Sequence, residues 1–170
     1  NESNPEVHYT TTGPEILRDV PNVSHFIAGL GTSGTLMGVG RFLKEQNPDI
    51  QILAVEPPAG ENVEGLRSLD EGFIPPIFER WEGIELLDGK RIIRSIESLE
   101  CTRKLAQTSG IFAGISSGAA LAGALRTAEQ IERGNIVFIV CDGGWKYLST
   151  GAWTEPLDEV AASIDRIIYF

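Results

Sequence analysis

Apolar and polar positions along the chain fall into short apolar runs separated by amphipathic stretches. Uninterrupted apolar runs at residues 25–30, 51–56 and 136–141 predict strands that are buried on both faces, because a half-buried strand would alternate. Between the first two runs, residues 34–46 carry apolar side chains at helical spacing, and Asn47-Pro48-Asp49 ends this helix. The pattern therefore predicts a βαβ unit with parallel strands.

The rest of the pattern places helices and loops around these strands. Helices are predicted at 98–109, 118–133 and 158–168, with a short helix from Thr12-Gly13-Pro14-Glu15 onward and a further strand at 91–95. Residues 1–12 and 57–89 predict loops, and a long loop inside a compact domain commonly lines a site or moves. We predict a single α/β domain, residues 1–170, built on a three-layer parallel sheet.

Composition and charge narrow the class of protein. The 170 residues carry a net charge of −10 without any Lys/Arg cluster, which argues against nucleic-acid or membrane-surface partners. No apolar run approaches the ~18 residues of a membrane span and no signal peptide opens the sequence, so we expect a cytoplasmic protein. Cys101 and Cys141 are expected to be reduced thiols, and no metal site is predicted.

A glycine-rich loop, Gly31-Thr-Ser-Gly-Thr35, joins the first strand to the following helix, and we call it the glycine loop. The free N–H groups of a helix N-terminus, close backbone approach at glycine and three hydroxyls together favour an anion site. An ordinary turn capped by Thr or Ser is the alternative. The loop lacks the Gly-Lys-Ser/Thr of a nucleotide-binding P-loop. The acid that a dinucleotide fold would need, Glu56, precedes Pro57-Pro58 and makes that fold a weak match.

A second stretch also has glycine and hydroxyl residues directly before a predicted helix. Residues 110–118 lead through glycines to Ser116-Ser117 and a helix, and Asp142-Gly143-Gly144 turns out of the strongest predicted strand. The carboxyl ends of parallel strands share one edge of a sheet, where open α/β folds bind ligands. We therefore expect these two segments and the glycine loop to converge on one edge, within about 20 Å of each other, as one small molecule would require.

Three segments together resemble the cysteine synthase family, which are pyridoxal-phosphate enzymes of the tryptophan-synthase-β fold. They are Gly31-Thr-Ser-Gly-Thr35, Ala113-Gly-Ile-Ser-Ser-Gly118 and Asp142-Gly-Gly-Trp-Lys-Tyr-Leu-Ser-Thr150. Asn4-Pro5, His8-Tyr9 and Thr12-Gly-Pro-Glu15 are also similar to the family's segment before the phosphate loop. The resemblance implies the larger domain of a fold-type-II enzyme, with the chain corresponding to the C-terminal half. It also implies a cytoplasmic homodimer that makes cysteine, with a sulfur-carrier protein as a candidate partner.

The resemblance also implies roles for particular residues. The residues that would hold the cofactor phosphate are Gly31, Thr32, Ser33, Gly34 and Thr35. Ser116 matches the residue that meets the pyridine nitrogen, and capping the helix at 118–133 is its alternative role. A hydroxyl cannot keep that nitrogen protonated, which suits elimination of a β-substituent. Asp142 and Gly143 match the segment beside the ring, although Asp142 is equally suited to a turn.

Arg67 is the candidate substrate-binding residue. Gly65-Leu-Arg67-Ser-Leu-Asp-Glu-Gly72-Phe-Ile-Pro75 resembles the cysteine synthases that use O-phosphoserine, in which the matching arginine receives the substrate phosphate. A guanidinium is a permanently charged, bidentate phosphate ligand. The alternatives are a surface arginine that pairs with Asp70 or Glu71, and an enzyme that uses O-acetylserine, because residues 76–90 depart from the subgroup pattern.

The lysines decide how much of an enzyme this chain contains. Family chemistry needs a lysine that forms a Schiff base with the cofactor. The chain has Lys44, Lys90, Lys104 and Lys146, and none stands in the family's Ser-x-Lys-Asp-Arg-like setting. We therefore expect the missing N-terminal half to carry that lysine and this chain alone to be inactive. The alternatives are half of a cystathionine β-synthase or serine/threonine dehydratase, and a non-catalytic anion- or nucleotide-binding module.

Overall fold

The computed structural model describes residues 1–72 and 74–164. Its centre is a sheet of four parallel strands, β1 (Val23–Gly29), β2 (Gln51–Glu56), β3 (Gly89–Ile92) and β4 (Asn135–Phe138). Across the sheet the strands lie in the order β3-β2-β1-β4. The predicted α/β class and the parallel βαβ unit are confirmed.

Helix α3 (Gly34–Gln46) connects β1 to β2 and has the predicted bounds. It ends because Asn47, which precedes Pro48, adopts an extended backbone, as residues before proline prefer. Successive side chains of β1 point to opposite faces of the sheet, so Phe26 lies in one core and Ile27 in the other. Both cores are therefore organised by the same strand.

Helices cover both faces, which gives the predicted three layers. On one face, α3 is joined by α1 (Ser3–Val7), α2 (Gly13–Asp19), α4 (Pro76–Arg80) and α5 (Gly83–Leu86). On the other face lie α6 (Ser95–Ser109), α7 (Ile115–Ala128) and α8 (Leu157–Ile164). Gly118 lets α7 approach α6, since a Cβ there would lie 2.1 Å from the Ser98 carbonyl oxygen. Among the described residues, no helix is both long and apolar enough to cross a membrane.

The predicted loop at residues 1–12 is wrong. A π-helical turn (His8–Thr12) links α1 to α2, and the backbone stays helical through both junctions. This segment crosses α3 at Gly38, where a Cβ would lie 2.2 Å from the Pro5 carbonyl oxygen. Helices this short owe their stability to packing against neighbours, and local sequence does not reveal such packing.

The strand predicted at 136–141 is shorter and more exposed than expected. Residues 136–138 are only half-buried, because β4 lies at one edge of the sheet that the described residues form and pairs there with β1. The other boundaries shift by a few residues: α6 begins at Ser95, α7 spans Ile115–Ala128, and β3 lies at Gly89–Ile92 instead of 91–95. Short helices at 76–80 and 83–86 and a 3-10 turn at 69–71 interrupt the predicted 57–89 loop. Residues 165–168 of the last predicted helix lie outside the described residues.

Candidate active site

The glycine loop connects the carboxyl end of β1 to α3. Ser33 occupies the N-cap position with a left-handed backbone, at a φ of 67°, and its side chain makes no capping bond. Its hydroxyl donates instead to the Thr32 carbonyl oxygen at 2.6 Å. The first backbone N–H groups of α3, at the positive end of the helix dipole, therefore receive no hydrogen-bond acceptor from the Ser33 side chain. The alternative role of the Ser33 side chain as the cap of this turn is wrong.

Two glycines of this loop are required by close contacts with other segments. A Cβ on Gly31 would lie 2.4 Å from the Gly65 carbonyl oxygen, and one on Gly34 would lie 2.3 Å from the Asn4 side chain. Gly65 itself has a φ of +86°, which other residues rarely adopt. The loop is thus clamped between α1 and the segment that follows β2.

Two residues that the sequence analysis left without a role contact the glycine loop. The Asn4 side-chain amide donates to the Thr32 hydroxyl at 3.2 Å. The His8 Nε2 atom lies 3.0 Å from the Thr35 hydroxyl. Asn4 and His8 are four positions apart and therefore share one helix face. A helical assignment for residues 1–12 would have shown this pairing.

Ser116 lies inside the first turn of α7, whose N-cap is Gly114, so the alternative role of Ser116 as the cap is wrong. Ser116 as a whole residue is 6% exposed. A Cβ on Gly65 would be 3.8 Å from the Ser116 hydroxyl, and Gly31 packs against the Gly65 carbonyl oxygen. The two helix N-termini therefore converge around Gly65, as predicted.

Asp142 lies against the start of α7. Its carbonyl oxygen accepts a hydrogen bond from the Gly114 N–H at 2.8 Å, and its Oδ2 accepts one from the Tyr147 hydroxyl, also at 2.8 Å. Burial and the Asp142 carboxylate together raise the pKa of Tyr147 well above its usual range. Within the described part of the chain, the buried Oδ1 has no hydrogen-bond partner. The Lys146 Nζ atom lies 3.4 Å from Oδ2.

A cavity of about 570 Å³ opens beside the glycine loop. Its lining includes Gly31, Thr32, Gly65, Leu66, Arg67 and Arg80. The Arg67 N–H donates to the Leu30 carbonyl oxygen at 2.7 Å. This hydrogen bond holds the Arg67 backbone next to Leu30, the residue directly before the glycine loop. Arg67 thus lies at the cavity wall.

The acids near Arg67 have other partners. Asp70 pairs with Lys90 at 3.0 Å, and Glu71 accepts a hydrogen bond from the Gly60 N–H at 3.0 Å. Across residues 1–72 and 74–164, no ion pair involves Arg67. Arg67 is exposed, as the alternative of a surface arginine required, but its pairing with Asp70 or Glu71 is wrong.

The lysines of the chain are engaged elsewhere or point to solvent. Lys44 pairs with Asp88 at 2.8 Å, and Lys90 pairs with fully buried Glu56 at 2.6 Å. Lys104 is exposed on α6. Of the described residues that line the cavity, none is a lysine. Glu56 also accepts the Leu69 N–H, so this buried acid is not available to a nucleotide ribose.

The sequence of the chain identifies its family. The family model described as "Pyridoxal-phosphate dependent enzyme" matches residues 1–142. The chain belongs to this family of pyridoxal-phosphate dependent enzymes. The members of the family depend on pyridoxal phosphate, as the resemblance had implied.

Curated relatives in this family include cysteine synthases. The chain is 40% identical over 154 residues to cysteine synthase B of Pseudomonas aeruginosa and 42% identical over 156 residues to cysteine synthase B of Salmonella typhimurium. These matches cover 90% and 91% of this chain and 50% of each relative. The resemblance to cysteine synthases is confirmed, and the chain spans about half the length of the curated relatives it matches.

Solved structures of related enzymes share the fold. O-ureido-L-serine synthase superposes with a TM-score of 0.80 at 33% identity, over 95% of this chain and 54% of that one. Cysteine synthase from Entamoeba histolytica superposes with a TM-score of 0.80 at 30% identity, over 99% of this chain and 53% of that one. An O-acetylserine dependent cystathionine beta-synthase from Helicobacter pylori is 36% identical, with a TM-score of 0.79 over 90% of this chain and 51% of that one.

Proposed function

We propose that this chain is the cofactor-binding half of a pyridoxal-phosphate dependent cysteine synthase. The enzyme would make L-cysteine by replacing the β-substituent of an O-activated L-serine with sulfur. The observation that carries the proposal is the convergence of the glycine loop and Ser116 on Gly65, beside a cavity lined by Arg67. The 40–42% identity to the cysteine synthases B supports it.

The glycine loop fits a phosphate group. Gly31 and Gly34 lack a Cβ, which would collide with the Gly65 carbonyl oxygen or the Asn4 side chain, and the N-terminus of α3 supplies backbone donors and positive potential. Thr32, Ser33 and Thr35 add hydroxyl groups. We therefore assign residues Gly31, Thr32, Ser33, Gly34 and Thr35 to the cofactor phosphate.

Ser116 is assigned to the pyridine nitrogen and Asp142 to the segment beside the ring. When bound, the cofactor supplies an electron sink for the charge that develops on an amino-acid substrate. A serine hydroxyl moderates this sink, because it does not hold the nitrogen protonated as a carboxylate would. The Tyr147 hydroxyl donates to the Asp142 carboxylate and holds it in place beside the start of α7.

Arg67 is assigned to the leaving group of the substrate, which we propose to be a phosphate. Its guanidinium has no ion-pair partner within the described residues, and its backbone is tied to the glycine loop through Leu30. A phosphorylated donor would therefore bind next to the cofactor. O-Acetylserine, which lacks the dianion, is the alternative donor. Assembly as a homodimer in the cytoplasm, and a sulfur-carrier protein as sulfur source, stay predictions.

Two features support the assignment of this chain to one half of the enzyme. The matched relatives are about twice as long, and no lysine of this chain lines the cavity within the described residues. We therefore expect the chain alone to bind the cofactor reversibly, without a covalent bond to any of its four lysines. Stoichiometric attachment of the cofactor to Lys146 would overturn this assignment.

Product analysis of the intact enzyme tests the reaction. With sulfide as acceptor, O-phosphoserine or O-acetylserine should yield cysteine. With homocysteine as acceptor, the similarity to the Helicobacter pylori enzyme makes cystathionine the product of the second candidate function. Release of pyruvate without an acceptor would indicate a dehydratase. Binding of the cofactor without turnover of either donor would indicate a non-catalytic module.

A further inference from the structure

His8 connects two threonine hydroxyls on different elements. Its Nδ1 lies 2.9 Å from the Thr12 hydroxyl, one π-helical turn further along the same segment. Its Nε2 lies 3.0 Å from the Thr35 hydroxyl at the start of α3. The three side chains form a continuous hydrogen-bonded line that ends at the glycine loop.

The ring of His8 is held in one place by the packing of its backbone. A Cβ on Gly38 would lie 2.9 Å from the His8 Cβ and 2.9 Å from the Tyr9 N atom, so this segment sits directly on α3. Asn4 makes the parallel contact to Thr32 one turn earlier. Burial lowers the pKa of His8, and the ring is therefore mainly neutral at pH 7. A neutral imidazole donates from only one of its two nitrogens.

The positions of the heavy atoms are compatible with two arrangements of donors and acceptors along the hydrogen bonds from Thr12 through His8 to Thr35. If Nδ1 carries the proton, Nε2 accepts from the Thr35 hydroxyl, and that hydroxyl has no proton left for an anion. If Nε2 carries the proton, Nε2–H donates to Thr35, and the Thr35 hydroxyl proton is free to point at a phosphate oxygen. The Thr12 hydroxyl then donates to Nδ1.

We propose that His8 is a positioning residue that orients the Thr35 hydroxyl toward a bound phosphate, with Thr12 completing the line at Nδ1. This inference rests on the proposed assignment of the glycine loop to the cofactor phosphate. Binding of the anion selects the direction in which Nε2 donates, because only that direction offers the anion a proton. The choice of tautomer is thus part of how the loop recognises phosphate.

Nitrogen-15 NMR of the histidine side chains tests the proposal on the unmodified chain. Spectra are recorded with and without saturating inorganic phosphate, and then with pyridoxal phosphate. We expect His8 to carry a proton on Nε2 in both bound forms. A bound form protonated on Nδ1 alone would overturn the inference while leaving the phosphate site intact. If neither inorganic phosphate nor pyridoxal phosphate shifts the Thr35 amide signal, the phosphate site is overturned and the inference with it.

A double-mutant cycle supplies the second measurement. His8→Phe should weaken phosphate binding about tenfold, the size of one lost hydrogen bond, because the Thr35 hydroxyl is no longer held in one orientation. In a Thr35→Val background the same change should have no further effect, because His8 acts through that hydroxyl. Thr11→Val is the matched control, since the exposed Thr11 hydroxyl donates to the Val7 carbonyl oxygen and not to the glycine loop. Equal losses for His8→Phe in both backgrounds would mean that the ring only packs, which overturns the inference.

Discussion

The glycine loop and the serine loop, which we define as residues 114–118, look alike in sequence and differ in structure. Each follows an apolar stretch, contains glycine and hydroxyl residues, and opens a helix of 13 or 14 residues. At the glycine loop, the Gly65 carbonyl oxygen and the Asn4 amide pack against Gly31 and Gly34, and Gly31 and Thr32 line a cavity. A helix end of this kind can accept an external anion.

The serine loop is filled by the chain itself. A Cβ on Gly114 would lie 2.0 Å from Asp142 Oδ1, so the Asp142 carboxylate packs directly against the N-cap residue of α7. The fully buried Ser117 hydroxyl accepts a hydrogen bond from the Cys141 N–H at 3.0 Å. The difference shows that loop sequence alone does not make an anion site. Residues from distant segments decide whether the helix end stays open.

The largest expected effect concerns the open loop and its cavity. Arg67→Ala removes a charge-assisted contact to a substrate phosphate, which is worth about 2–4 kcal/mol, or roughly 30- to 1,000-fold in kcat/KM for O-phosphoserine. Turnover of O-acetylserine should change far less. The measurement is kcat/KM of the intact enzyme for both donors.

Arg80→Ala is the matched control for this experiment. Arg80 lines the same cavity but pairs with Glu2, so its loss should affect the two donors alike. Equal losses for both donors in Arg67→Ala would assign Arg67 a structural role. A wild-type preference for O-acetylserine would remove the phosphorylated donor from the proposal.

A smaller effect is expected from closing the glycine loop. Gly31→Ala places a methyl group against the Gly65 carbonyl oxygen, and a backbone atom cannot yield as a flexible side chain does. Such overpacking costs about 1–3 kcal/mol and should weaken phosphate binding roughly 10- to 100-fold. Gly89→Ala is the control, since a Cβ at this position would lie 3.5 Å from its nearest neighbour, a methyl group of Leu53. Unchanged phosphate affinity in Gly31→Ala, measured by calorimetry, would contradict the assignment of this loop.

The serine loop should respond in stability and not in phosphate binding. Ser117→Ala leaves the Cys141 N–H without its acceptor and should lower the free energy of unfolding by about 1–2 kcal/mol. Urea titrations measure this change, and Ser109→Ala on the exposed end of α6 serves as control. If Ser117→Ala lowers phosphate affinity without lowering stability, the serine loop takes part in phosphate binding, and the distinction between the two loops is wrong.

The contrast also shows what sequence could and could not predict. The apolar runs of β1 and β2 and the pattern of α3 are local, and their predicted positions were right within two residues. The half-buried state of β4 depends on its place at the sheet edge, which no local pattern records. The helical course of residues 1–12 depends on contact with Gly34 and Gly38 across the chain. For the same reason, the contacts of Asn4 and His8 with the glycine loop could not be predicted.

The smallest expected effect comes from a third helix end, at α6. Glu61 accepts hydrogen bonds from the Ser95 N–H at 3.1 Å and from the Arg94 side chain at 2.8 Å. Burial opposes ionisation of this carboxyl, but the hydrogen bonds and the charge of Arg94 outweigh it, so its pKa lies below the ordinary 4.5. The N-terminus of α6 is thus stabilised by the negative charge of Glu61, which protonation at low pH removes.

The sign of the pH dependence follows from this lowered pKa. Because the folded state binds the Glu61 proton less tightly than the unfolded state, the contribution of Glu61 to stability is complete above the ordinary pKa of 4.5. It is lost as the pH falls through the lower folded pKa. Glu61→Gln should therefore lower the free energy of unfolding by up to about 1 kcal/mol at pH 7 and by less at pH 3. Glu132→Gln, an exposed acid beyond α7, is the control. A loss that grows on acidification would mean that the carboxylate destabilises this helix end, and that distant charges do not close helix ends in this fold.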